Sequence, residues 1–490
     1  MFYPSLEEVR KLSQEYTVIP VCAECYADMD TPISVFRRLE TDENCFLLES
    51  VEGNQTTARY SFIGRNPFLT FQSMGNEVTV EDDTGKKQTY RAKPMEELQR
   101  LIEKYRAPKL EGIPSFNGGA VGYFAYDIIR QYEDLPNAAP DELGVADMHF
   151  LFMDEIIAFD HRRQKLVVMV NVRVDGEIEK QYDRAVKRIV DIQTELAAAK
   201  SNLERERRQY RPAAKLESNM TKEEFCRMVE RAKGYIKDGD IFQVVLSQRF
   251  SVETSLNPFS AYRALRIINP SPYMYYLKFA GVQIVGASPE MLVRVEDGVV
   301  QTGPIAGTRP RGKTPAEDER LEKELLADEK ETAEHTMLVD LGRNDVGKVS
   351  EFGSVKVTRF QYVQRFSHVI HILSDVEGKL RKDKTVFDAL GATLPAGTLS
   401  GAPKIRAMEI IDELEGTKRG VYGGAIGYIS FNGNFDSCIT IRTALFKNQR
   451  AYIQAGAGIV YDSDPETEYQ ETINKASAVL RAIEEAGDIL

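Results

Sequence analysis

The sequence predicts an α+β protein with large antiparallel sheets flanked by helices, on three observations. Short apolar segments separated by turn residues fill the first ~165 residues. From Thr221 onward, strand-like and helix-like segments alternate without the regular spacing of βαβ units. Asn432-Gly433, between apolar stretches at 425–431 and 436–446, is a strong hairpin signal.

In chain order, residues 45–48 and 119–124 read as strands, with a helix at 94–105 between them and a further strand at 166–174. A long polar helix is expected over 177–208. Its charge-dense tail, 203–215, contains Pro212 and reads as a surface linker. Thr221 and Glu224 form a capping-box pattern ahead of an apolar-periodic helix through Tyr235. Strands at 241–252 and 273–279 bracket a helix at 258–268. One long amphipathic helix is expected over 314–341, and another over 403–415, with Pro403 near its first turn and Gly416 just past its end. The last helix starts at Asp464-Pro465 and ends before Gly487. These elements divide into a part at 1–175, a helix and linker at 176–220, and a part at 221–490; no internal repeat is visible.

The composition narrows the class. At 490 residues, 42% hydrophobic and 28% charged, the chain is an ordinary globular one, long enough for about two to four domains. A formal charge of −12 argues against a nucleic-acid partner, which wants a basic stripe. No apolar run approaches the roughly eighteen residues needed to span a bilayer, and the acidic start lacks an export-signal pattern. Cys22, Cys25, Cys45, Cys226 and Cys438 are odd in number and scattered, which fits a reducing, cytoplasmic location. Cys22 and Cys25 have metal-knuckle spacing, but no second half follows, so the spacing reads as coincidence.

Two Glu-x-x-Glu pairs stand out. Glu331/Glu334 and Glu468/Glu471 each place two carboxylates one turn apart on a helix, and each helix follows a glycine-rich segment that reads as a loop, Pro304 to Gly312 or Gln454 to Gly458, the latter ending a strand. A Glu-rich helix taken alone is more often a solvated face. If the two helices face each other, however, four carboxylates converge. Two bare ones 4 Å apart repel by ~4 kcal/mol at an effective dielectric of 20, and a hard divalent cation such as Mg²⁺ satisfies such oxygen ligands. The glycines let backbone approach a ligand and offer N–H donors to an anion.

These stretches, with Asp340-Leu341-Gly342-Arg343-Asn344-Asp345, Gly397-Thr398-Leu399-Ser400-Gly401-Ala402-Pro403-Lys404, Tyr422-Gly423-Gly424 and Glu471-Thr472-Ile473-Asn474-Lys475-Ala476, resemble the motifs of the chorismate-utilising enzymes. The likeness spans nearly the whole chain and is densest from Thr221 to Ile483. It implies a two-part chorismate-binding fold with a β-sandwich-like core. It implies Mg²⁺ held by Glu331, Glu334, Glu468 and Glu471 on the ring carboxylate, with Gly456, Ala457, Gly458 and Lys475 alongside. Arg442 is expected to clamp the enolpyruvyl carboxylate bidentately, as a lysine could not, with Tyr422, Gly307 and Thr308 completing the pocket. Glu290 is the expected acid for the departing hydroxyl and needs a carboxyl pKa raised by burial. His371 is expected to serve the later proton transfer and pyruvate loss, and Thr398 to orient substrate. His368 reads as a core histidine, and the stretch 340–345, by itself, as a helix-end cap.

Ala306 and Gln243 select the branch. Relatives that form aminodeoxychorismate carry a nucleophilic lysine at the position of Ala306, and those that add water use a lysine at the position of Gln243. Neither an alanine methyl nor an amide does that work, so the resemblance implies ammonia as nucleophile and anthranilate as product. The alternatives are an aminodeoxychorismate-forming relative and a non-catalytic tryptophan-binding one. No glutaminase module is visible, so ammonia is expected from a separate glutamine amidotransferase subunit in a hetero-oligomer, of heterotetrameric form. Ser50, Pro272, Tyr273 and Met274 match segments that bind tryptophan as feedback inhibitor. The absence of tryptophan from all 490 residues suits an enzyme made when that amino acid is scarce.

Overall fold

A computed structural model describes residues 2–51, 59–136, 139–198, 216–366 and 369–488. Its architecture is two large antiparallel sheets packed face to face, with helices on both outer faces. Among the described residues the first sheet has 13 strands and the second 12. Both run through N- and C-terminal sequence. In the first, Cys45–Glu49 pairs with Tyr273–Phe279; in the second, Gly119–Phe124 pairs with Ala425–Ser430. Phe46, Phe116, Tyr123, Leu151, Tyr275, Leu277 and Ile426 fill the space between the sheets. Helices Ile178–Ala198, Pro258–Ile268 and Pro465–Glu485 cover the first sheet from outside. Pro94–Ile102, Glu329–Gly347 and Val386–Thr393 cover the second. No helix among the described residues is long and apolar enough to cross a membrane.

Local signals account for most boundaries. Thr221 caps Lys222–Lys237, accepting from the Glu224 amide while Glu224 reaches back to Thr221 N at 2.7 Å. Gly416, at φ +64°, ends Lys404–Glu415 in the left-handed conformation a glycine takes most readily. Asp464 caps the last helix, which places Glu468 and Glu471 in its first two turns.

Three expectations are corrected. The single helix over 314–341 is two, Pro315–Ala327 and Glu329–Gly347, because Asp328 leaves helical geometry (ψ 108°) and caps the second through the amides of Lys330 and Glu331. The Pro304 to Gly312 loop is largely a strand, Ile305–Pro310, paired with Val369–Lys379. The second hairpin arm, 436–446, is two strands in different sheets, Phe435–Ile439 and Thr443–Lys447. The helix expected over 177–208 is described only as Ile178–Ala198. The linker at 203–215 and His368 lie outside the described residues.

Candidate active site

The site grows from two places where the chain crosses between sheets. Ser288 ends a strand of the first sheet and Met291 begins one of the second, leaving Pro289-Glu290 as the link. Ile439 to Thr443 makes the reverse crossing through Arg442, whose φ of +53° is uncommon for a non-glycine residue. The crossings are tied together: Ile439 N donates to Glu290 O at 3.0 Å and Ala287 N to Arg442 O at 3.2 Å.

Glu290 is 8% exposed, and burial pushes its carboxyl up to about 8, against the weaker opposing pull of the Thr398 hydroxyl and Lys475. Thr398 Oγ1, expected to orient substrate, donates to Glu290 Oε1 at 3.1 Å. A carboxyl protonated at neutral pH is what a departing hydroxyl requires. Burial lowers the Arg442 guanidinium pKa while Tyr422 and Glu471 oppose the shift, and its Nη1 donates to the Lys475 carbonyl.

Gly307 builds the next piece. It forms a bulge between Ala306 and Thr308 at φ +70°, which aims its carbonyl at His371 Nδ1, 2.8 Å away. Thr308 Oγ1 lies 3.2 Å from the same nitrogen. A carbonyl only accepts, so Nδ1 carries the hydrogen in the neutral ring and Nε2 keeps a lone pair. Burial lowers the His371 pKa; the Gly307 carbonyl opposes this and Arg442 adds to it. The ring is therefore a neutral base at pH 7.

On the strand Arg450–Ile459, alternation sorts the three glycine-motif residues. Opposite it, Val245 N donates to Ser400 O at 2.9 Å and Ser247 N to Glu415 Oε1 at 2.8 Å. Their cross-strand partners, Gly458 and Gly456, therefore turn their backbone groups to the other edge. Lys475 Nζ marks that edge by donating to Gly456 O at 3.0 Å. A Cβ on Gly456 would sit 2.8 Å from the Tyr422 hydroxyl, and one on Gly458 2.8 Å from Gln243 Nε2. Ala457 faces the opposite way, fully buried in the core beneath Phe225 and Ile410. Its side chain does not join the others.

The four glutamates lie on Glu329–Gly347 and Pro465–Glu485. Glu331 is paired with Arg309 at 3.1 Å and Glu471 with Lys475. Gln243 Nε2 reaches Glu334 Oε1 at 3.5 Å. Burial raises the Glu334 pKa, reinforced by Glu331; burial raises that of Glu468, reinforced by Glu471 though opposed by a Ser463 hydrogen bond. Among the described residues, no three His, Cys, Asp or Glu side chains are close enough together to hold a metal. The donor chemistry nonetheless fits a hard cation. It is all carboxylate, each pair is self-repelling, and two of the four members are neutralised by side-chain cations.

The expected inhibitor residues lie elsewhere. Ser50, Pro272, Tyr273 and Met274 all line a cavity of about 780 Å³ that also reaches Pro289 and Met291, on either side of Glu290. Tyr273 donates to Asp436 Oδ1 at 2.9 Å. Met274, one residue on, is 1% exposed and packs among the helix-side core residues.

Sequence reasoning missed Arg419. It is 2% exposed, donates to both Glu415 oxygens and to the carbonyls of Leu399 and Val245 (2.6 and 2.8 Å), and its guanidinium lies 5.6 Å from the Tyr422 ring centre. It thus ties the Thr398 turn to Tyr422. The i,i+4 spacing of Glu415 and Arg419 was the available signal, obscured by the helix end at Gly416. Arg419→Met should lower unfolding stability by ~3–5 kcal/mol, because Glu415 is left as an uncompensated buried charge; denaturant unfolding measures this, and an unchanged midpoint contradicts it.

A sequence model of the chorismate binding enzymes matches residues 43–481. The chain is 58% identical over 495 aligned positions, covering 100% of both chains, to anthranilate synthase component 1 of Acetivibrio thermocellus. It is 47% identical over 484 positions, covering 98% of this chain and 97% of the other, to that of Aquifex aeolicus. The crystal structure of anthranilate synthase component I from Streptococcus pneumoniae TIGR4 superposes with a TM-score of 0.79 at 42% identity, covering 93% of this chain and 98% of that one. The menaquinone-specific isochorismate synthase of Escherichia coli, at 20% identity and TM-score 0.69 over 98% of each chain, shares the fold.

Proposed function

The chain belongs to the chorismate binding enzymes, and on that premise we propose that it converts chorismate and ammonia to anthranilate and pyruvate, the first committed step of tryptophan synthesis. The observation that carries this reading is the buried, protonated Glu290 at the seam it shares with Arg442, in a chain whose residues 306 and 243 supply neither amine nor base. Arg442 holds the enolpyruvyl carboxylate, with Tyr422 and the Gly307-Thr308 pair around it. The amides of Gly456 and Gly458, and Lys475, face the ring carboxylate. Glu331, Glu334, Glu468 and Glu471 are the residues to hold Mg²⁺, which when bound supplies positive charge to that carboxylate. Substrate binding then displaces the Arg309 and Lys475 contacts.

Ammonia attacks ring C2, Glu290 gives its proton to the C4 hydroxyl, which leaves as water, and the new C2 ammonium releases a proton to solvent. Gln243 is an amide and takes no proton at neutral pH, so water is not activated from that position. His371 Nε2, with Nδ1 tied to Gly307, accepts the C2 proton as the C3–O bond breaks and the ring becomes aromatic, and that proton passes to the methylene carbon of the departing enolpyruvate to give pyruvate. The test is to incubate the chain with chorismate, Mg²⁺ and excess ammonium at a pH not above about 8, where Glu290 keeps its proton. Anthranilate fluorescence is expected; aminodeoxychorismate or isochorismate as sole product overturns the assignment.

The ammonia comes from a separate glutamine amidotransferase subunit, the counterpart that a first component implies. We also place tryptophan, as inhibitor, in the cavity at Ser50 and Pro272 to Met274, with 1–175 as the regulatory part and 221–490 as the catalytic part. The volume lies within the usual range for small-molecule sites, and the walls beside Glu290 give bound tryptophan a route to the acid. Five free cysteines suit a cytoplasmic setting. L-tryptophan at about 100 times its dissociation constant should stabilise the chain by ~2.7 kcal/mol; thermal unfolding unmoved by tryptophan contradicts this placement.

A further inference from the structure

Two motifs that the mechanism leaves without a role, 340–345 and the end of 397–404, meet behind Glu290. Lys404 Nζ donates to Asp345 Oδ2 at 2.8 Å and to Thr393 O at 3.3 Å. Asp345 is 5% exposed and also pairs with Lys348 at 3.1 Å. Asp345 and Thr393 line one small cavity together with Glu290 and Thr398. Its remaining walls are largely apolar, including Leu338, Leu341 and Ile439. The cavity volume is about 40 Å³, room for one water, whose share of liquid volume is ~30 Å³. The polar groups that line it include the two carboxyl groups and the Thr398 hydroxyl, the kinds of partner a buried water needs.

We propose that a water in this cavity reloads Glu290 after each turnover, carrying a proton from the Lys404 ammonium by way of the Asp345 carboxylate. The inference rests on Glu290 being the acid. The balance is simple. Proton donation to the departing hydroxyl leaves Glu290 as a carboxylate. An N–H bond of Lys404 breaks, Asp345 takes that proton and passes one through the water, and an O–H bond forms on Glu290. Lys404, now a neutral amine on a side chain 13% exposed, regains its proton from solvent. Burial lowers the Lys404 pKa, with Asp345 opposing and Lys348 reinforcing the shift, which eases proton release. The charged groups facing this path are Lys348 and Glu133 near Lys404, and Lys475 near Glu290. Asp345 and Lys404 are thus positioning residues.

The test compares two regimes in the same protein with Mg²⁺ and saturating ammonium. With enzyme in excess, the first turnover uses the proton Glu290 already holds. Asp345→Asn and Lys404→Arg should leave that single-turnover rate within about 3-fold of wild type. Steady-state kcat should fall by ~10-fold or more, within the range of lost proton-transfer assistance. Lys404→Arg keeps the charge but holds its proton too tightly to release it, so charge alone does not restore turnover. Single-turnover and steady-state rates falling together, or Lys404→Arg turning over like wild type, overturns the proposal. If Asp345→Asn fails to fold, Lys404→Arg decides alone. Wild type that makes no anthranilate refutes the function instead, a separate outcome.

Discussion

Glu290→Gln should lower kcat for anthranilate formation by ~10²–10⁴-fold, the usual contribution of a positioned acid, with the fold intact. Glutamine matches protonated glutamate in shape and charge and still accepts from Thr398 Oγ1, so nothing in the packing is disturbed. The pH behaviour makes the prediction specific. The folded-state carboxyl sits at about 8, above its ordinary 4.5. Its neutral form predominates below about 8, and wild-type kcat at saturating ammonia should fall as pH rises through that value. The same shift acts on stability: the contribution of the buried neutral carboxyl is complete below its unfolded pKa and is lost as pH rises through 8. The Gln variant should lack both slopes. Rate–pH profiles and unfolding midpoints from pH 5 to 9 check this; a variant retaining near-wild-type kcat removes Glu290 from the chemistry.

Glu334→Gln should abolish most turnover, by at least ~100-fold at fixed Mg²⁺. Losing an outer-shell partner of a metal ligand already costs ~10–100-fold, and a direct ligand costs more. The fold should persist and become slightly more stable without metal, since burial and Glu331 both oppose the Glu334 charge. Mg²⁺ titration of activity, paired with thermal unfolding in chelator, separates the two effects. Unchanged Mg²⁺-dependent activity overturns the ligand role.

Sequence legibility followed the range of the forces involved. The Thr221 capping box, the Gly416 stop and the Asp464 cap are local, and each was readable residue by residue. The Pro304 to Gly312 stretch was misread because glycine density signals a turn, whereas here one glycine makes a bulge inside a paired strand. Asp328 was invisible as a breaker because Arg309, far back in sequence, ion-pairs with it and favours the cap over continued helix. The crossing at Arg442 depends on which sheet has room for the next strand, a tertiary fact with no local signature. Among site residues, those set by strand alternation, such as Gly456 and Gly458, were readable as a motif, but alternation also turns Ala457 into the core. The Asp345–Lys404 pair joins motifs 59 residues apart, and only the fold connects them to Glu290.

The central claim is that four carboxylates from two helices gather one divalent ion against the substrate carboxylate. Anomalous diffraction from crystals soaked with Mn²⁺ and chorismate tests it most directly. The account predicts a single peak bounded by Glu331, Glu334, Glu468 and Glu471, with Arg309 and Lys475 released from Glu331 and Glu471. A peak away from these side chains, with both ion pairs intact while chorismate is bound, contradicts it.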